Sequence, residues 1–476
     1  MQDDKRHARR CTLPALFLAL LVAGAGCTFA RAAAQEAAAG GDVLWAWAGG
    51  VTDESAVVKA KLAQPGPARL LLASATGETD VLAPVSTDDR AGDGGRILTF
   101  ALDGLAARAT YTYTVILGEA DREAQTAPDP DGSGHFATFA PPGEPESITV
   151  AFGSCARTGS THPVFDTIRG LAPDLFIHMG DFHYENITAN DPALFDAAFD
   201  AVLASPAQSA LYRSLPIAYV WDDHDFGANN SDGSNPAAPA ARSSYRAHVP
   251  HYPLPADEDS GEDSGADSGA DGPIYQAFSA GRIRFIVTDT RSEKSWLRRT
   301  MLGDEQKAWL KQELLAARDA GYALIVWVQT DPWIGAAKWW LLGFQDNWGA
   351  FAGERREIAN FLVDNGIDNL IMLSGDAHML AIDDGTHSNY AGEAGKPADG
   401  PGFPIMHAAA LDQKGSVKGG PYSEGTLPGG GHFGYMTITD DGGDIGVRWQ
   451  GMNEAGETLM ELSFTVSQDG IKFFQR

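Results

Sequence analysis

Hydrophobic and polar residues alternate along the first part of the chain in a way that is typical of short antiparallel strands. Between residues 42 and 139, the segments "VVKAKLA", "ARLLLAS", "RILTFALD" and "TYTYTVILG" are separated by Gly, Pro and Asp turns. This spacing predicts a small all-β sandwich of the immunoglobulin or fibronectin type. The polar, Pro-rich stretch "APPGEPES" at residues 140–147 predicts a linker behind it.

Residues 148–476 follow a different pattern. Apolar runs that are typical of buried strands alternate with stretches of helical periodicity, of which residues 303–321 are the clearest. An α/β layered domain is therefore expected over residues 148–476. The apolar runs are "ITVAFGSC", "DLFIHMGD", "PIAYVWDDHD", "RIRFIVTDT", "YALIVWVQTD" and "NLIMLSGDAH". The Gly-rich tail after residue 383 is expected to form loops that enter a final hairpin.

An acidic stretch interrupts the predicted α/β domain. Residues 256–272, "ADEDSGEDSGADSGADG", carry seven acidic residues in near-repeats of "SGxD". This composition offers no apolar surface to bury, so it predicts a disordered surface insertion. Weak calcium binding is the alternative interpretation.

Polar side chains follow the predicted strands of the α/β domain, at the point where each strand ends. In open α/β sheets, ligands bind in the crevice beyond the carboxyl ends of the strands. The sequence therefore predicts one site assembled from several loops. Its members are Cys155, then Asp181 with His183 and Tyr184, then residues 222–225 ("DDHD"), then Asp289, then Asp376 with His378.

The side-chain types in this set indicate a metal site. Adjacent carboxylates after a buried strand repel each other unless cations or hydrogen bonds hold them. Oxygen ligands suit calcium or magnesium, whereas the thiolate of Cys155 and the phenolate of Tyr184 favour a transition metal. The mixed set predicts two unlike cations, one hard and bound by oxygen, the other redox-capable, such as ferric iron.

Net charge and the amino terminus restrict the partners and the location. The chain has 35 Lys and Arg against 63 Asp and Glu, a net charge of −28, which excludes nucleic acid as a binding partner. Residues 1–34 combine basic residues, the apolar run "LPALFLALLVAGAG" and a small-residue "AAA" end, which predicts a signal peptide and an exported, periplasmic or extracellular protein. Arg9 and Arg10 suggest export by the twin-arginine route as an alternative. Cys27 suggests a lipid anchor, which is the one way in which we expect this protein to associate with a membrane.

The ordered motifs "FGSCAR", "HMGDFHYEN", "VWDDHD", "VTDTR" and "LSGDAH", which follow a β-sandwich, resemble those of the alkaline phosphatase D (PhoD-like) family of metallophosphoesterases. The resemblance implies a layered metallophosphoesterase-type α/β catalytic domain. It also implies ferric iron and calcium as cofactors, with Zn, Mn or Mg as the less favoured alternatives. We expect a monomer that acts on small phosphate esters.

The resemblance assigns roles to individual residues. It implies that ferric iron is bound by Cys155, Asp181, Tyr184 and Asp376, and that calcium is bound by Asp181, Asp376 and Asp223. It also implies two site histidines, His224 and His378, and we count His378 with the metal ligands. Asp181 is expected to bridge the cations, which activate a hydroxide for attack on phosphorus. His224 is expected to contact the substrate and to stabilise charge or protonate the leaving oxygen.

Four points are left open by the sequence. Arg291 either binds the substrate phosphate or forms a buried brace with Asp289, and Asp331 is a candidate for an additional ligand. A phosphodiesterase or phospholipase D-type hydrolase is the rival activity, because the same two-cation chemistry serves monoesters and diesters. A catalytically silent secreted protein that binds phosphate or carbohydrate is the alternative of a different class.

Overall fold

The computed structural model describes residues 43–89, 95–118, 129–255, 272–336, 346–393, 398–467 and 470–473. Residues Asp42–Arg476 form one compact unit. The predicted leader at residues 1–34, which includes Cys27, and residues 256–271 of the predicted insertion lie outside the described residues. Within the ranges described, no helix is both long enough and apolar enough to cross a bilayer.

The described part of the chain contains more strand than helix. Seven α-helices are described, and we number them in chain order. They are α1 (Val164–Leu171), α2 (Pro192–Leu203), α3 (Pro206–Tyr212), α4 (Asp223–Phe226), α5 (Ala238–His248), α6 (Gly303–Asp319) and α7 (Ala352–Asp364), with short 3₁₀ helices at Pro130–Gly132 and Trp348–Phe351. The helix predicted at residues 303–321 is confirmed by α6, whose Leu310, Leu314 and Ala317 lie buried along one face.

The strands are numbered in the same way. They are β1 (Val43–Gly49), β2 (Ser55–Leu62), β3 (Ala68–Ser74), β4 (Thr79–Leu82), β5 (Ser86–Asp88), β6 (Arg96–Asp103), β7 (Thr110–Leu117), β8 (Ser133–Ala137), β9 (Ile148–Gly153), β10 (Leu175–Met179), β11 (Ile217–Val220), β12 (Gln276–Ala280), β13 (Ile283–Val287), β14 (Leu324–Gln329), β15 (Leu370–Ser374), β16 (Met379–Asp383), β17 (Ile405–Ala408), β18 (Thr426–Pro428), β19 (Phe433–Thr439), β20 (Ile445–Met452), β21 (Thr458–Ser467) and β22 (Gly470–Phe473).

Parallel strands form the centre of the two larger sheets. The 11-stranded sheet has the order β22-β21-β20-β19-β9-β10-β11-β1-β2-β6-β5, and the 7-stranded sheet has the order β12-β13-β14-β15-β17-β16-β18. Strands β9, β10 and β11 are parallel in the first sheet, and β13, β14, β15 and β17 are parallel in the second. The carboxyl ends of these strands carry the residues selected in the sequence.

Successive residues of β14 show how the layers are built. Val326 and Val328 belong to a core shared with β9 and β10, whereas Ile325 and Trp327 belong to a second core shared with α6 and α7. A parallel strand that is buried on both faces reads as one continuous apolar run, which is why "LIVWVQ" shows no alternation. The predicted α/β layered fold is confirmed.

The β-rich amino-terminal region is also confirmed, and its strands are shared with the rest of the chain. A four-stranded sheet, β4-β3-β7-β8, lies beside β1, β2, β5 and β6, which extend the 11-stranded sheet. Gly49 of β1 pairs in parallel with Ile217 of β11, and Trp45 Nε1 donates to Asp200 Oδ1 of α2 at 2.9 Å. Strand β1 thus belongs to the same sheet as β11. The domain boundary at residues 140–147 stays a prediction.

The carboxy-terminal tail forms more structure than the predicted hairpin. Strands β19 to β22 form an antiparallel meander, in which β19 pairs with β9. Before it, residues 409–420 form a loop that leaves β17 and passes over the ends of β9 and β15. This loop, called the 409–420 loop below, is part of the candidate site.

Candidate metal centre

Three residues of the candidate site share an uncommon backbone conformation. Cys155 lies just beyond β9, Asp181 just beyond β10 and Asp376 just beyond β15, with φ angles of 64°, 53° and 57°. A left-handed conformation costs a non-glycine residue about 1 kcal/mol or more, so the surrounding contacts must impose it. Residues of this kind cluster at functional sites, and here all three turn their side chains toward one another.

Two glycines allow the strand ends to meet. A Cβ atom on Gly180, whose φ is +86°, would lie 2.3 Å from Cβ of Asp222. A Cβ atom on Gly375 would lie 2.6 Å from the carbonyl oxygen of Met179 and 2.8 Å from Oγ of Ser154. The ends of β9, β10, β11 and β15 therefore approach at a spacing that only glycine permits.

A thiol, a phenol, a carboxylate and an imidazole converge between these strand ends. Ligand atoms of Cys155, Asp181 and His378 lie within 4.8 Å of one another. The Tyr184 hydroxyl donates to Asp181 Oδ2 at 2.6 Å and lies 3.2 Å from His378 Nε2. His378 Nδ1 donates to the Lys414 carbonyl oxygen at 2.7 Å, so Nε2 of the neutral ring presents its lone pair to the cluster.

Without a cation, burial favours the neutral forms of the thiol and the phenol. Burial raises the pKa of Cys155 well above its ordinary value, and the carboxylate of Asp181 raises it further. Burial, followed by Asp181 and Cys155, likewise raises the pKa of Tyr184. A transition-metal ion would reverse this by stabilising thiolate and phenolate. This donor set therefore fits ferric iron better than it fits an ion that prefers oxygen ligands alone.

Carboxylates form adjoining groups of ligand atoms. Asp181, Asp223 and His224 come within 4.8 Å of one another, and so do Asp222, Asp223 and Asp376. Asp181 belongs both to this oxygen-rich side and to the group that contains Cys155, which is the arrangement of a bridging carboxylate. The oxygen-rich side fits a hard cation such as calcium.

The charges of the cluster support the same conclusion. Seven buried carboxyl groups face three cations, a formal excess of four negative charges if all of them are ionised. The carboxyl groups are those of Asp181, Asp222, Asp223, Asp225, Asp331, Asp346 and Asp376, and the cations are Arg291, Lys294 and Lys418. Burial and the neighbouring carboxylates raise the pKa of Asp181 well above its ordinary value, and burial raises the pKa of Asp376 to about 7 despite Lys418. Oδ2 of Asp222 and Oδ2 of Asp376 have no hydrogen-bond donor among the described residues. Bound cations would neutralise this excess charge.

Arg291 lies behind the cluster and not on its open side. Its side chain has no exposed surface, and it pairs with Asp222 (Nε to Oδ1, 2.5 Å) and with Asp346 (Nη1 to Oδ2, 2.8 Å). Asp289 accepts from the backbone nitrogen of Arg291 at 2.9 Å. A buried guanidinium cannot reach a substrate without leaving these carboxylates, so the geometry favours the brace, with Asp222 and Asp346 as its main partners. The substrate-binding role of Arg291 stays a prediction.

The structure brings the other selected residues together: Cys155, Asp181, Tyr184, Asp223, His224, Asp376 and His378 all border one centre. Asp331 lies at its edge, within 4.8 Å of Asp346 and Asp376, and both of its carboxylate oxygens are buried. Asp225 serves the fold instead, since its Oδ2 accepts from Tyr219 at 2.6 Å and caps α4.

Four site residues were not predicted as such from the sequence: Asn186, Lys294, Asp346 and Lys418. Asn186 lies within a quoted motif, and its side-chain oxygen lies 2.7 Å from Nδ1 of His224. Lys418 lies in the Gly-rich tail, and its Nζ is 2.5 Å from Asp376 Oδ1. Neither residue ends an apolar run, so hydrophobic patterning gave no signal for them.

The fold is that of metallophosphoesterases. The chain superposes on the solved structure of PhoD with a TM-score of 0.67 and 17% sequence identity, and 91% of this chain and 92% of that chain are covered. It superposes on the purple acid phosphatase PPD1 from yellow lupin (Lupinus luteus) seeds with a TM-score of 0.62 and 13% identity, and the coverage is 89% and 74%. At these identities the likeness shows the fold alone.

Sequence comparison identifies the family. The model of the PhoD-like phosphatase family matches residues 150–399, just over half of the chain. The chain belongs to the PhoD-like phosphatase family, as its motifs predicted. Alkaline phosphatase D from Bacillus subtilis (strain 168) is 26% identical over an alignment of 330 residues, which covers 58% of this chain and 52% of that protein. This chain therefore spans about half of the length of that curated relative.

Proposed function

We propose that this protein is an exported, metal-dependent phosphoesterase that hydrolyses small phosphate esters at a centre of two unlike cations. The observation that carries the proposal is the convergence of Cys155, Asp181, Tyr184 and His378 beside a second, carboxylate-rich group. Membership of the PhoD-like phosphatase family supports phosphate esters as the substrate class.

The ligands divide between the two sides of Asp181. Cys155, Tyr184, Asp376 and His378 would hold ferric iron together with Asp181. Asp223 would hold calcium together with Asp181 and Asp376. When bound, the cations polarise the phosphoryl oxygens and lower the pKa of a water molecule toward neutrality.

His224 would act on the leaving oxygen in the proposed reaction. The centroid of its ring lies 4.2 Å from that of Tyr184, with the ring planes tilted by 31°, and its backbone nitrogen donates to Asp181 Oδ1 at 3.3 Å, so the imidazole borders the centre. Nδ1 is held by Asn186, which leaves Nε2 to face the substrate. As the bond from phosphorus to the leaving oxygen breaks, Nε2 of His224 would stabilise the charge on that oxygen or, when the ring is protonated, give it a proton.

Export is part of the proposal and has its own test. The basic, apolar and small-residue order of residues 1–34 supports a cleaved leader. The amino terminus of the protein recovered from cells decides the matter, because an intact Met1 on active cytoplasmic protein contradicts export. A lipid-modified terminus at Cys27 would replace release with anchoring.

The activity is tested on the purified mature protein, first stripped with a chelator and then reloaded with Fe³⁺ and Ca²⁺. We expect elemental analysis to find both metals. We also expect hydrolysis of 4-nitrophenyl phosphate to depend on reloading and to disappear in Asp181→Asn. A clear preference for bis(4-nitrophenyl) phosphate or phosphatidylcholine would favour the phosphodiesterase or phospholipase D-type alternative. Phosphate binding with no bound metal and no hydrolysis would favour the silent binding protein.

A further inference from the structure

The 409–420 loop packs against the candidate metal centre through backbone hydrogen bonds. Leu411 N donates to Ser154 O at 2.9 Å, and Asp412 N donates to Cys155 O at 3.1 Å. Further along the loop, Ser416 N donates to His378 O at 3.0 Å. The loop is thus bonded to two of the three segments that carry the proposed iron ligands, so its own side chains occupy defined positions around the centre.

Lys418 is held in place by the end of this loop. The Tyr422 hydroxyl donates to the Lys418 carbonyl oxygen at 3.2 Å, and Gly420 N donates to Ile334 O at 3.2 Å. A Cβ atom on Gly419, whose φ is +74°, would lie 2.4 Å from Ile334 O, so this approach requires glycine. The backbone on the carboxyl side of Lys418 is therefore packed against a neighbouring loop.

The ammonium of Lys418 reaches both the centre and the solvent. Nζ lies 2.5 Å from Asp376 Oδ1, and 34% of the side chain is exposed. Among the cations that the described residues bring to the cluster, Lys418 alone keeps exposed surface, since the side chains of Arg291 and Lys294 are fully buried. The ammonium of Lys418 is therefore paired with a carboxylate of the cluster on one side and open to solvent on the other.

The buried cations and Lys418 therefore have different uses. Arg291 and Lys294 are held by Asp222 and Asp346 behind the cluster. Lysine combines a flexible stem with three donors, so Nζ of Lys418 can pass from Asp376 Oδ1 to an oxygen of a bound phosphate without backbone movement. A dianionic monoester gains about twice the Coulomb energy of a monoanionic diester from the same ammonium.

We propose that Lys418 binds the non-bridging oxygens of the substrate phosphoryl group and makes this centre selective for phosphomonoesters over diesters. The inference rests on the proposed function, because it names the substrate class of that site. Lys418 is a specificity residue in this account, not a metal ligand. It offsets locally the negative charge that otherwise repels a dianion.

The test compares Lys418→Met with Lys418→Arg and with Lys472→Met. Lys472→Met removes the same charge from β22, which lies four strands away from β9 in the 11-stranded sheet. For Lys418→Met we expect kcat/KM for 4-nitrophenyl phosphate to fall about 10- to 100-fold, the range of a lost hydrogen bond to a charged group. For bis(4-nitrophenyl) phosphate we expect a fall of less than about 3-fold. Lys418→Arg should retain most of the monoester preference, and Lys472→Met should match the wild type.

A binding measurement separates this inference from the proposed function. Titration calorimetry with inorganic phosphate on the metal-loaded proteins should show an affinity about 10-fold or more weaker in Lys418→Met, with unchanged metal content. Phosphate affinity that is equal in both proteins overturns the inference, as does an equal fall for both esters. A wild-type protein that hydrolyses neither ester defeats the proposed function, and weaker phosphate binding in Lys418→Met would still support the role of Lys418.

Discussion

The side-chain oxygen of Asn186 lies 2.7 Å from Nδ1 of His224, and Nδ2 of Asn186 donates to the Tyr184 carbonyl oxygen at 2.8 Å. The second bond fixes the orientation of the amide, so its oxygen faces the histidine. Because an amide oxygen only accepts, Nδ1 of His224 must carry a hydrogen. Asn186 thereby orients the ring and reserves Nε2 for the reaction.

Removing this oxygen should impair turnover more than binding. Asn186 has a φ of 52°, a conformation that glycine and aspartate tolerate, so Asn186→Gly and Asn186→Asp change the side chain with little strain. We expect kcat to fall about 10-fold or more in Asn186→Gly with KM nearly unchanged, and largely to recover in Asn186→Asp, which restores an acceptor. Steady-state kinetics on 4-nitrophenyl phosphate give both constants. Equal losses in the two variants would contradict an orienting role.

Tyr184 and Cys155 should control the iron. If both ligate Fe³⁺, the phenolate gives a visible charge-transfer absorption, which we expect to vanish in Tyr184→Phe. Cys155→Ser should lower iron content and activity together, because a hydroxyl is a far weaker acid than a thiol and so a poorer anionic ligand. Absorption spectra and elemental analysis of the reloaded proteins measure these effects. Variants that keep iron, colour and activity would remove iron from the proposal.

Gly180 should be intolerant of a methyl group. In Gly180→Ala the new Cβ would meet Asp222 at 2.3 Å, and the residue would also be strained at a φ of +86°. Gly77→Ala is the matched control, because Gly77 has a φ of +89° and open space around it. We expect the control to lose about 1 kcal/mol of unfolding free energy in urea, and Gly180→Ala to lose at least about 2 kcal/mol more, together with activity. Similar losses in the two variants would show that the contact relaxes.

Arg291→Met tests the buried brace. The change leaves Asp222 and Asp346 without their shared cation, and removing one partner of a buried pair costs about 3–5 kcal/mol of unfolding free energy. Arg298→Met breaks an exposed pair with Asp304 and should cost less than about 1 kcal/mol. Urea titrations compare the two. A stable Arg291→Met with a raised KM alone would favour the substrate-binding role.

His178 should limit stability in acid. It lies in β10 among Phe176, Phe182 and Tyr219, and burial lowers its pKa to about 3. An unfolded histidine titrates near 6.5, so between pH 6.5 and 3 the unfolded state binds a proton that the folded state does not.

Stability should therefore fall by up to about 1.4 kcal/mol for each pH unit below about 6.5 through His178 alone. In His178→Phe, which keeps an aromatic ring in place, we expect a flatter acid side of the profile of thermal midpoint against pH. The difference in thermal midpoint between His178→Phe and the wild type above pH 7 gives the packing cost of the substitution. An acid profile with the same slope in both proteins would assign the loss to other groups.

The sequence revealed the residues that follow apolar strands, because burial on both faces marks those strands clearly. Cys155, Asp181 and Asp376 were found in this way, and the structure places them together. Asp346 and Lys418 come from loops that have no periodic signal, and only the tertiary path of the chain brings them to the centre. The role of Arg291 could not be read from "VTDTR", because the strand-end position is the same for a residue that faces the crevice and for one that lies behind it.

The 409–420 loop sets the order in which the centre can form during synthesis. The thiol of Cys155 packs against Ala409 and Ala410, which leave the ribosome long after it. A growing chain that has not yet produced this loop holds its thiol without that cover and lacks the backbone partners of His378. The mature geometry of the candidate metal centre must therefore follow completion of the carboxy-terminal segment, and a chain cut before residue 409 would lack the cover that Ala409 and Ala410 give to the Cys155 thiol.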